Sequence, residues 1–409
     1  MSRAKSQAGP SLPLGKKVRP KRKAVVYTGN RAEYGLLSPI LGAIAVHPGL
    51  DYAVLVSGAH LKKDFGRTIH EIEGDSFHVD GVVEIDYQDD TLGATAQAIG
   101  SGVVGISRQL EALDPDMLVV YGDRFESFAA AIAGTQMAIP TAHVEGGDYT
   151  EGGALDDSVR HAMTKLAHLH FTTNEYAAER VRRLGEEPWR VFNVGYSALD
   201  FVAAGRYANC KEVYRRFELE PDRPLIMFTQ HSVATESDQA EEQVRPSLQA
   251  LEEIVNEFGC QVVASYPNDD AGGRRIIAEL EKLRAKNNPS IHIQPSLGRY
   301  YYYGVLNIAV ACMGNSSSGI KETPAFHCPC VNIGPRQQGR LRADNVIDVG
   351  YDKDQIKKAV WRCLKDESFK RQVKNCHNPY GMGNTGPKIA EILATIPINQ
   401  RLIQKRMTY

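Results

Sequence analysis

The sequence predicts an α/β protein built from two doubly wound parallel-sheet domains. Three observations carry this reading. Short apolar runs recur along the chain, each ending in a Gly-rich or polar turn. A stretch with helical spacing follows many of them, the pattern of parallel strands with helices on both faces. The runs fall into two successive sets, and 409 residues suit two or three domains.

Residues 1–23 precede the first run. They carry Pro10, Pro13, Pro20, two glycines and eight basic side chains (Arg3, Lys5, Lys16, Lys17, Arg19, Lys21, Arg22, Lys23) with no acid. Such a segment buries too little apolar surface to order itself and is expected to be a disordered basic tail. Weak contact with an acidic partner is its sharper alternative.

The first set is expected to form a domain over residues 24–200. Its strand candidates are Ala24–Gly29, Tyr52–Ser57, Met117–Gly122, Pro140–Glu145, His170–Thr173 and Val191–Gly195. Asp114-Pro115-Asp116 supplies a turn before the third. Phe125–Gln136 is an Ala-rich helix. Leu155, Val159, Ala162, Met163 and Leu166 recur at helical spacing and define another helix over about 155–168.

The second set is expected over 201–375. Its strands are Leu225–Thr229, Val262–Ser265, Ile291–Ile293, Ile308–Met313, Val331–Gly334 and Val346–Val349, with helices such as 239–257 and 272–285 between them. Residues 376–409 follow a Gly-rich turn with a helical segment, Pro387–Ala394, expected to pack back on the first domain. In open parallel sheets ligands bind beyond the carboxyl ends of the strands, so two such domains facing each other would hold a ligand in the cleft between them.

Composition excludes several classes. No run of about 18 apolar residues is present to cross a membrane, and the basic N-terminus lacks the apolar core of a secretory signal. Seven cysteines, at 210, 260, 312, 328, 330, 363 and 376, form no metal-binding spacing and read as reduced thiols. A cytoplasmic enzyme is expected. The net charge is −1, of which the tail contributes +8, leaving −9 for residues 24–409. An acidic body argues against nucleic-acid binding, and Tyr300–Tyr303 are better read as packing and surface than as a base-stacking platform.

The polar residues with chemical potential fall just after the strands. Met313-Gly314-Asn315-Ser316-Ser317-Ser318-Gly319 follows an apolar strand and is expected to open a helix. Small residues allow close backbone approach, and N–H and hydroxyl donors suit a phosphate or diphosphate; the plain alternative is serines that cap a helix. Glu322, a turn further on, could grip ribose hydroxyls. Gly29–Gly35 is not a dinucleotide fingerprint, but Arg31 within it could donate to a phosphate. Gly122-Asp123-Arg124, His143-Val144-Glu145-Gly146-Gly147 and Asp156-Asp157 bring carboxylates to three loops of one domain, as acid–base chemistry requires. One of Asp156 and Asp157 could serve only the helix dipole. Thr229-Gln230-His231 ends the first strand of the second set.

Together, Gly29–Gly35, Ser57-Gly58-Ala59-His60, Gly122-Asp123-Arg124, His143–Gly147, Asp156-Asp157-Ser158-Val159-Arg160-His161, Asn268–Gly272, Gly314–Glu322 and Gly334-Pro335-Arg336-Gln337-Gln338-Gly339-Arg340 resemble the hydrolysing UDP-N-acetylglucosamine 2-epimerases. That family includes bacterial sialic-acid pathway enzymes and the epimerase domain of the animal bifunctional epimerase/kinase. The resemblance spans about residues 24–385, with the motifs in the family's order. It implies two Rossmann-like domains of the glycosyltransferase-B type. It also implies UDP binding by Arg31, Arg124, Asn268, Ser316, Ser317, Glu322 and Arg336, and a catalytic set of Asp123, Glu145, Asp156 and His231. Two departures stand out: related enzymes often have Glu at the Asp156 position, and Ser232-Val233-Ala234-Thr235 replaces the family's proline-containing pattern beside His231.

The implied reaction takes UDP-N-acetylglucosamine and water to N-acetylmannosamine and UDP, by elimination to 2-acetamidoglucal and addition of water. It requires no metal and no cofactor. A homodimer or homotetramer is implied, with a nucleotide sugar as the ligand. Ser57–Gly66 looks like the hydrolysing branch rather than the non-hydrolysing one. Alternatives within the family are GDP-N-acetylglucosamine or a UDP-2,4-diacetamido-trideoxyhexose of the legionaminic acid pathway as substrate. A glycosyltransferase or a non-catalytic nucleotide-sugar sensor are the alternatives of other classes.

Overall fold

The computed structural model describes residues 19–61, 68–85, 91–149, 155–268 and 270–409. The chain divides into two compact units. The described residues of Met1–Asp148, Leu155–Ser197 and Asn384–Tyr409 form one, and those of Tyr149–Ala154 and Ala198–Gly383 form the other. Most of the expected tail, residues 62–66 of the Ser57–Gly66 element, and Asp269 lie outside the described residues.

The first unit is a seven-stranded sheet made of β1 (Arg22–Thr28), β2 (Leu50–Ser57), β3 (Val79–Val83), β4 (Met117–Tyr121), β5 (Thr141–Val144), β6 (Leu169–Thr172) and β7 (Val191–Asn193). The order is β3-β2-β1-β4-β5-β6-β7 and every pairing is parallel. Alternate residues of β1 and β4 feed two cores, one on each face. Ala24, Val26, Met117 and Val119 belong to the first, and Val25, Tyr27, Leu118 and Val120 to the second. This two-sided burial is why β4 reads as an uninterrupted apolar run.

β1 begins at Arg22, so the last two basic residues of the expected tail belong to the sheet. Their cations serve helix ends. Arg22 donates to the carbonyls of Leu393 and Ile396 at 2.9 and 2.7 Å, and Lys23 to that of Leu113 at 3.0 Å. Positive charge at a helix C-terminus is stabilised by the helix dipole. Arg19 pairs with Asp114 at 2.6 Å. The helix Thr385–Thr395 lies tightly on the helix Arg31–Val46: a Cβ at Gly386 would stand 2.5 Å from the Pro39 carbonyl oxygen.

The second unit is a six-stranded parallel sheet of β8 (Leu225–Thr229), β9 (Gln261–Ser265), β10 (Ile291–Gln294), β11 (Ala311–Gly314), β12 (Cys330–Ile333) and β13 (Val346–Val349). Its order is β10-β9-β8-β11-β12-β13. The expected strand Ile308–Met313 is corrected. Ile308 closes the helix Gly298–Ile308, and the strand starts at Ala311. An apolar run of this length carries no periodicity that separates helix from strand. Within that helix Tyr303 is buried in the core, while Tyr300 is exposed.

All seven cysteines are free; six are buried and Cys210 is exposed. Among the described residues, no helix is long and apolar enough to cross a membrane.

Candidate active site

Each sheet has one point where the strand order reverses, between β1 and β4 in the first unit and between β8 and β11 in the second. Chain segments diverge there, which leaves room for a ligand at the carboxyl ends. The sequence motifs sit at these points and at the strands beside them.

In the first unit, β4 runs into Gly122-Asp123-Arg124 and its neighbour β5 into Glu145. The register pairs Tyr121 with Val144, so Asp123 and Glu145 leave adjacent strand ends. Asp123 accepts an ion-paired hydrogen bond from Arg160, a residue only 5% exposed. Arg160 projects from the helix Leu155–Leu166, and Asp157, one turn earlier, is buried with its Oδ1 3.9 Å from Arg160 Nη1. Asp156, the residue singled out from the sequence, is exposed at the start of that helix.

Glu145 is 8% exposed and adopts a left-handed conformation, with φ of 66°. Its Oε2 accepts a hydrogen bond from the Tyr121 hydroxyl, and its backbone N–H donates to the Phe171 carbonyl at 2.8 Å. A non-glycine residue at positive φ is a strained choice that clusters at functional sites. The following turn requires glycine at 147, where φ is 73° and a Cβ would stand 2.3 Å from the Ala177 carbonyl oxygen. Beneath the turn, His143 is fully buried with Nε2 2.8 Å from the Gly122 carbonyl. Burial holds its pKa down at about 4, so the ring is neutral.

Arg31 and Arg124 stand at the reversal point of this sheet. Arg31 starts the helix after β1 and pairs with Glu71 at 2.8 Å, both exposed. Arg124 caps the helix Phe125–Gln136, with Nε 3.6 Å from Glu126. Behind them lie two buried carboxyls, Glu33 and Glu126. Glu33 accepts from the Gly29 N–H and the Ser127 hydroxyl, both at 3.0 Å. Burial and the neighbouring Glu126 push its pKa up to about 8.

In the second unit, Asn315 is the hub. Its Oδ1 accepts from the His231 N–H at 2.6 Å, and its Nδ2 donates to the His231 carbonyl at 2.8 Å. Its own carbonyl accepts from Arg336 at 3.2 Å and from Gln337 at 2.8 Å. The strand ends can close this far because residue 314 is glycine: its φ is 132°, and a Cβ would lie 1.9 Å from the Thr229 carbonyl oxygen. The half-buried His231 ring meets Asn268 through Nδ1, which lies 3.0 Å from both the backbone nitrogen and the side-chain Oδ1 of that residue. Burial, with Arg336 nearby, lowers its pKa to about 3. The His231 ring is therefore neutral.

Ser316 and Ser317 follow Asn315, but the expected helix is a single turn, Ser318–Lys321, continued by a 3₁₀ turn at Thr323–Phe326. Ser318 donates to Glu322 at 2.7 Å, fixing that buried carboxylate. Asn268 also donates to Asp270 at 2.6 Å, and Arg336 Nη2 lies 3.8 Å from the same carboxylate.

The structure thus gathers Asp123 and Glu145 at one pair of strand ends, and His231, Asn268 and Arg336 around Asn315 in the other unit. The sequence reading gave no role to Tyr121, Arg160, Asn315 or the Glu33–Glu126 pair. The signals were a hydroxyl at the end of an apolar run, a cation one turn beyond Asp157, and an amide directly after Gly314.

Two domains of this architecture with nucleotide-type motifs at their strand ends define a class, and comparison with known proteins places the chain within it. The profile of the UDP-N-acetylglucosamine 2-epimerase family matches residues 42–394, and the chain belongs to that family. It is 32% identical over 388 residues to a UDP-N,N'-diacetylbacillosamine 2-epimerase (hydrolyzing) of Legionella pneumophila, covering 95% of this chain and 100% of that one. It is 34% identical over 328 residues to a GDP/UDP-N,N'-diacetylbacillosamine 2-epimerase (hydrolyzing) of Campylobacter jejuni, covering 80% and 84% of the two chains. The fold matches the crystal structure of UDP-GlcNAc 2-epimerase from Neisseria meningitidis bound to UDP-GlcNAc, with a TM-score of 0.76 at 18% identity over 91% of this chain and 99% of that chain.

Proposed function

We propose that this protein is a hydrolysing nucleotide-sugar 2-epimerase that converts UDP-N-acetylglucosamine and water to N-acetylmannosamine and UDP. The observation that carries the reading is the pair of carboxylates, Asp123 and Glu145, on adjacent strand ends, each held by a hydrogen-bond donor.

The proton on carbon 2 of the sugar is not next to a carbonyl, so removing it as an isolated step is costly. Elimination avoids this. A carboxylate takes the carbon 2 proton while the bond from carbon 1 to the UDP oxygen breaks, and the electron pair becomes the double bond of 2-acetamidoglucal. Water then adds, its hydroxyl to carbon 1 and a proton to carbon 2 on the opposite face. Asp123, Glu145 and an acid of the helix Leu155–Leu166 divide these proton transfers. Asp156 is the residue the family resemblance indicates; Asp157 is the one that lies beside Arg160. The leaving diphosphate is stabilised by positioned polar groups: Arg31, Arg124, Arg336, Ser316, Ser317 and the neutral His231 ring. Asn268 and Glu322 hold the nucleoside. The family resemblance further suggests a homodimer or homotetramer, which sedimentation measures directly.

A second substrate reading is favoured by the Legionella and Campylobacter relatives, both named for N,N'-diacetylbacillosamine. It is the same reaction on a sugar with a second acetamido group, at carbon 4, carried on UDP or GDP. Turnover on UDP-N-acetylglucosamine, GDP-N-acetylglucosamine and UDP-N,N'-diacetylbacillosamine separates them. The proposal expects the first to give the highest kcat/KM, with free N-acetylmannosamine and UDP as products. A hundredfold preference for either of the others moves the assignment to that substrate.

A further inference from the structure

The Tyr121 ring is fixed more firmly than a side chain at the mouth of a site needs to be. It is 3% exposed and packs in the sheet's core with Val119 and Val144. It is the last residue of β4, two positions before Asp123, and stands in register with Val144, the residue before Glu145. Its hydroxyl meets Glu145 Oε2 across that pairing. Satisfying a buried phenol does not by itself require a carboxylate in a left-handed turn, since a backbone carbonyl accepts the same proton. Here the chain adopts positive φ at a glutamate, and Glu145 Oε2 is brought onto the hydroxyl.

We infer that Tyr121 is a positioning residue for the epimerase reaction: its hydroxyl fixes one oxygen of Glu145, and with it the orientation in which the carboxylate meets the sugar. Burial raises the phenol's pKa well above its ordinary value, which keeps it a donor at any pH where the protein works. The Ser197 hydroxyl is its second polar neighbour, and Ser197 is itself held by a 2.7 Å hydrogen bond to the Leu36 carbonyl. Ser197 thus braces the phenol. Proton transfer depends steeply on donor–acceptor placement, and a displacement of about 1 Å can lower a rate by roughly 100-fold. The inference rests on the reading of Glu145 as an acid–base residue.

The test is a kinetic cycle of Tyr121→Phe, Glu145→Gln and the double variant on UDP-N-acetylglucosamine, with thermal unfolding of each. Phe fills the same buried space, so Tyr121→Phe is expected to fold. It should lower kcat about 10- to 100-fold with KM changed less than twofold. The double variant should be no slower than Glu145→Gln alone, because Tyr121 acts only through Glu145. Three results overturn the inference: Tyr121→Phe within twofold of wild-type kcat, a loss confined to KM, or losses that multiply in the double variant. Near-wild-type turnover by Glu145→Gln alone overturns the underlying assignment of Glu145, and is recognised without any Tyr121 variant. If Tyr121→Phe does not fold, Ser197→Ala, which removes the brace, replaces it in the cycle with the same expectations.

Discussion

Arg160 reaches from the middle of the helix Leu155–Leu166 to the Asp123 carboxylate at the end of β4, with Asp157 on its other side. A buried guanidinium between two acids fixes the direction of the Asp123 carboxylate. The planar fork of arginine suits this role, and the point charge of lysine does not. Arg160→Met is expected to lower kcat about 100-fold, and Arg160→Lys to recover only part of it. Initial rates at saturating substrate decide this; two variants as fast as wild type would remove Arg160 from the site.

Asn315 clasps His231 through two hydrogen bonds and receives two more from Arg336 and Gln337. Asn315→Ala removes the clasp and frees the His231 turn. Neutral hydrogen bonds contribute about 1 kcal/mol each, so UDP should bind roughly tenfold more weakly. Isothermal calorimetry with UDP measures it, and unchanged affinity contradicts the role given to Asn315.

The alkaline side of the stability profile belongs to Glu33. Its folded pKa, pushed up to about 8, lies above the ordinary carboxylate value, so the folded chain holds a proton that the unfolded chain has released. Stability from this group is full below about 4.5 and is lost as pH rises through 8. Glu33→Gln, neutral at every pH, should raise the melting temperature relative to wild type at pH 8.5 and lose that advantage at pH 5. An equal effect at both pH values contradicts the assignment.

The acid side belongs to the buried histidines. His143, His168 and His170 are each held at about 4 by burial, against an ordinary 6.5. The unfolded chain therefore takes up protons first, and stability falls as pH drops from about 6.5 through 4. His143 alone accounts for on the order of 3 kcal/mol of that loss. Melting temperatures from pH 7.5 to 4.5 should show the decline, with a shallower slope in His143→Asn.

Much of this architecture is legible in the sequence for a physical reason. Strands of a parallel sheet are buried on both faces, so β8 and the helix Phe125–Gln136 stand at the bounds their apolar pattern marks. The 22-residue helix Leu92–Leu113 is not legible, because Gly93, Gly100, Gly102 and Gly105 depress its helix propensity. Packing explains two of them. A Cβ at Gly105 would lie 2.5 Å from Val83 Cγ1, and one at Gly102 3.1 Å from Ala129 Cβ. The neighbouring β3, Val-Asp-Gly-Val-Val, is short and carries both an acid and a glycine. At the site, residue types at strand ends are readable, but their partners are not. Arg160 meets Asp123 across 37 residues and Tyr121 meets Glu145 across 24, pairings that only the sheet order creates.

In the proposed reaction, Asp123 and Glu145 carry out elimination and hydration on a UDP-linked 2-acetamido sugar. The most direct measurement is turnover of UDP-N-acetylglucosamine in deuterated water, followed by proton NMR of the sugar released. The expected result is free N-acetylmannosamine with one deuterium at carbon 2 and stoichiometric UDP, and a loss of rate of at least about 100-fold in both Asp123→Asn and Glu145→Gln. A product still joined to UDP, protium retained at carbon 2, or either variant turning over near the wild-type rate would contradict it.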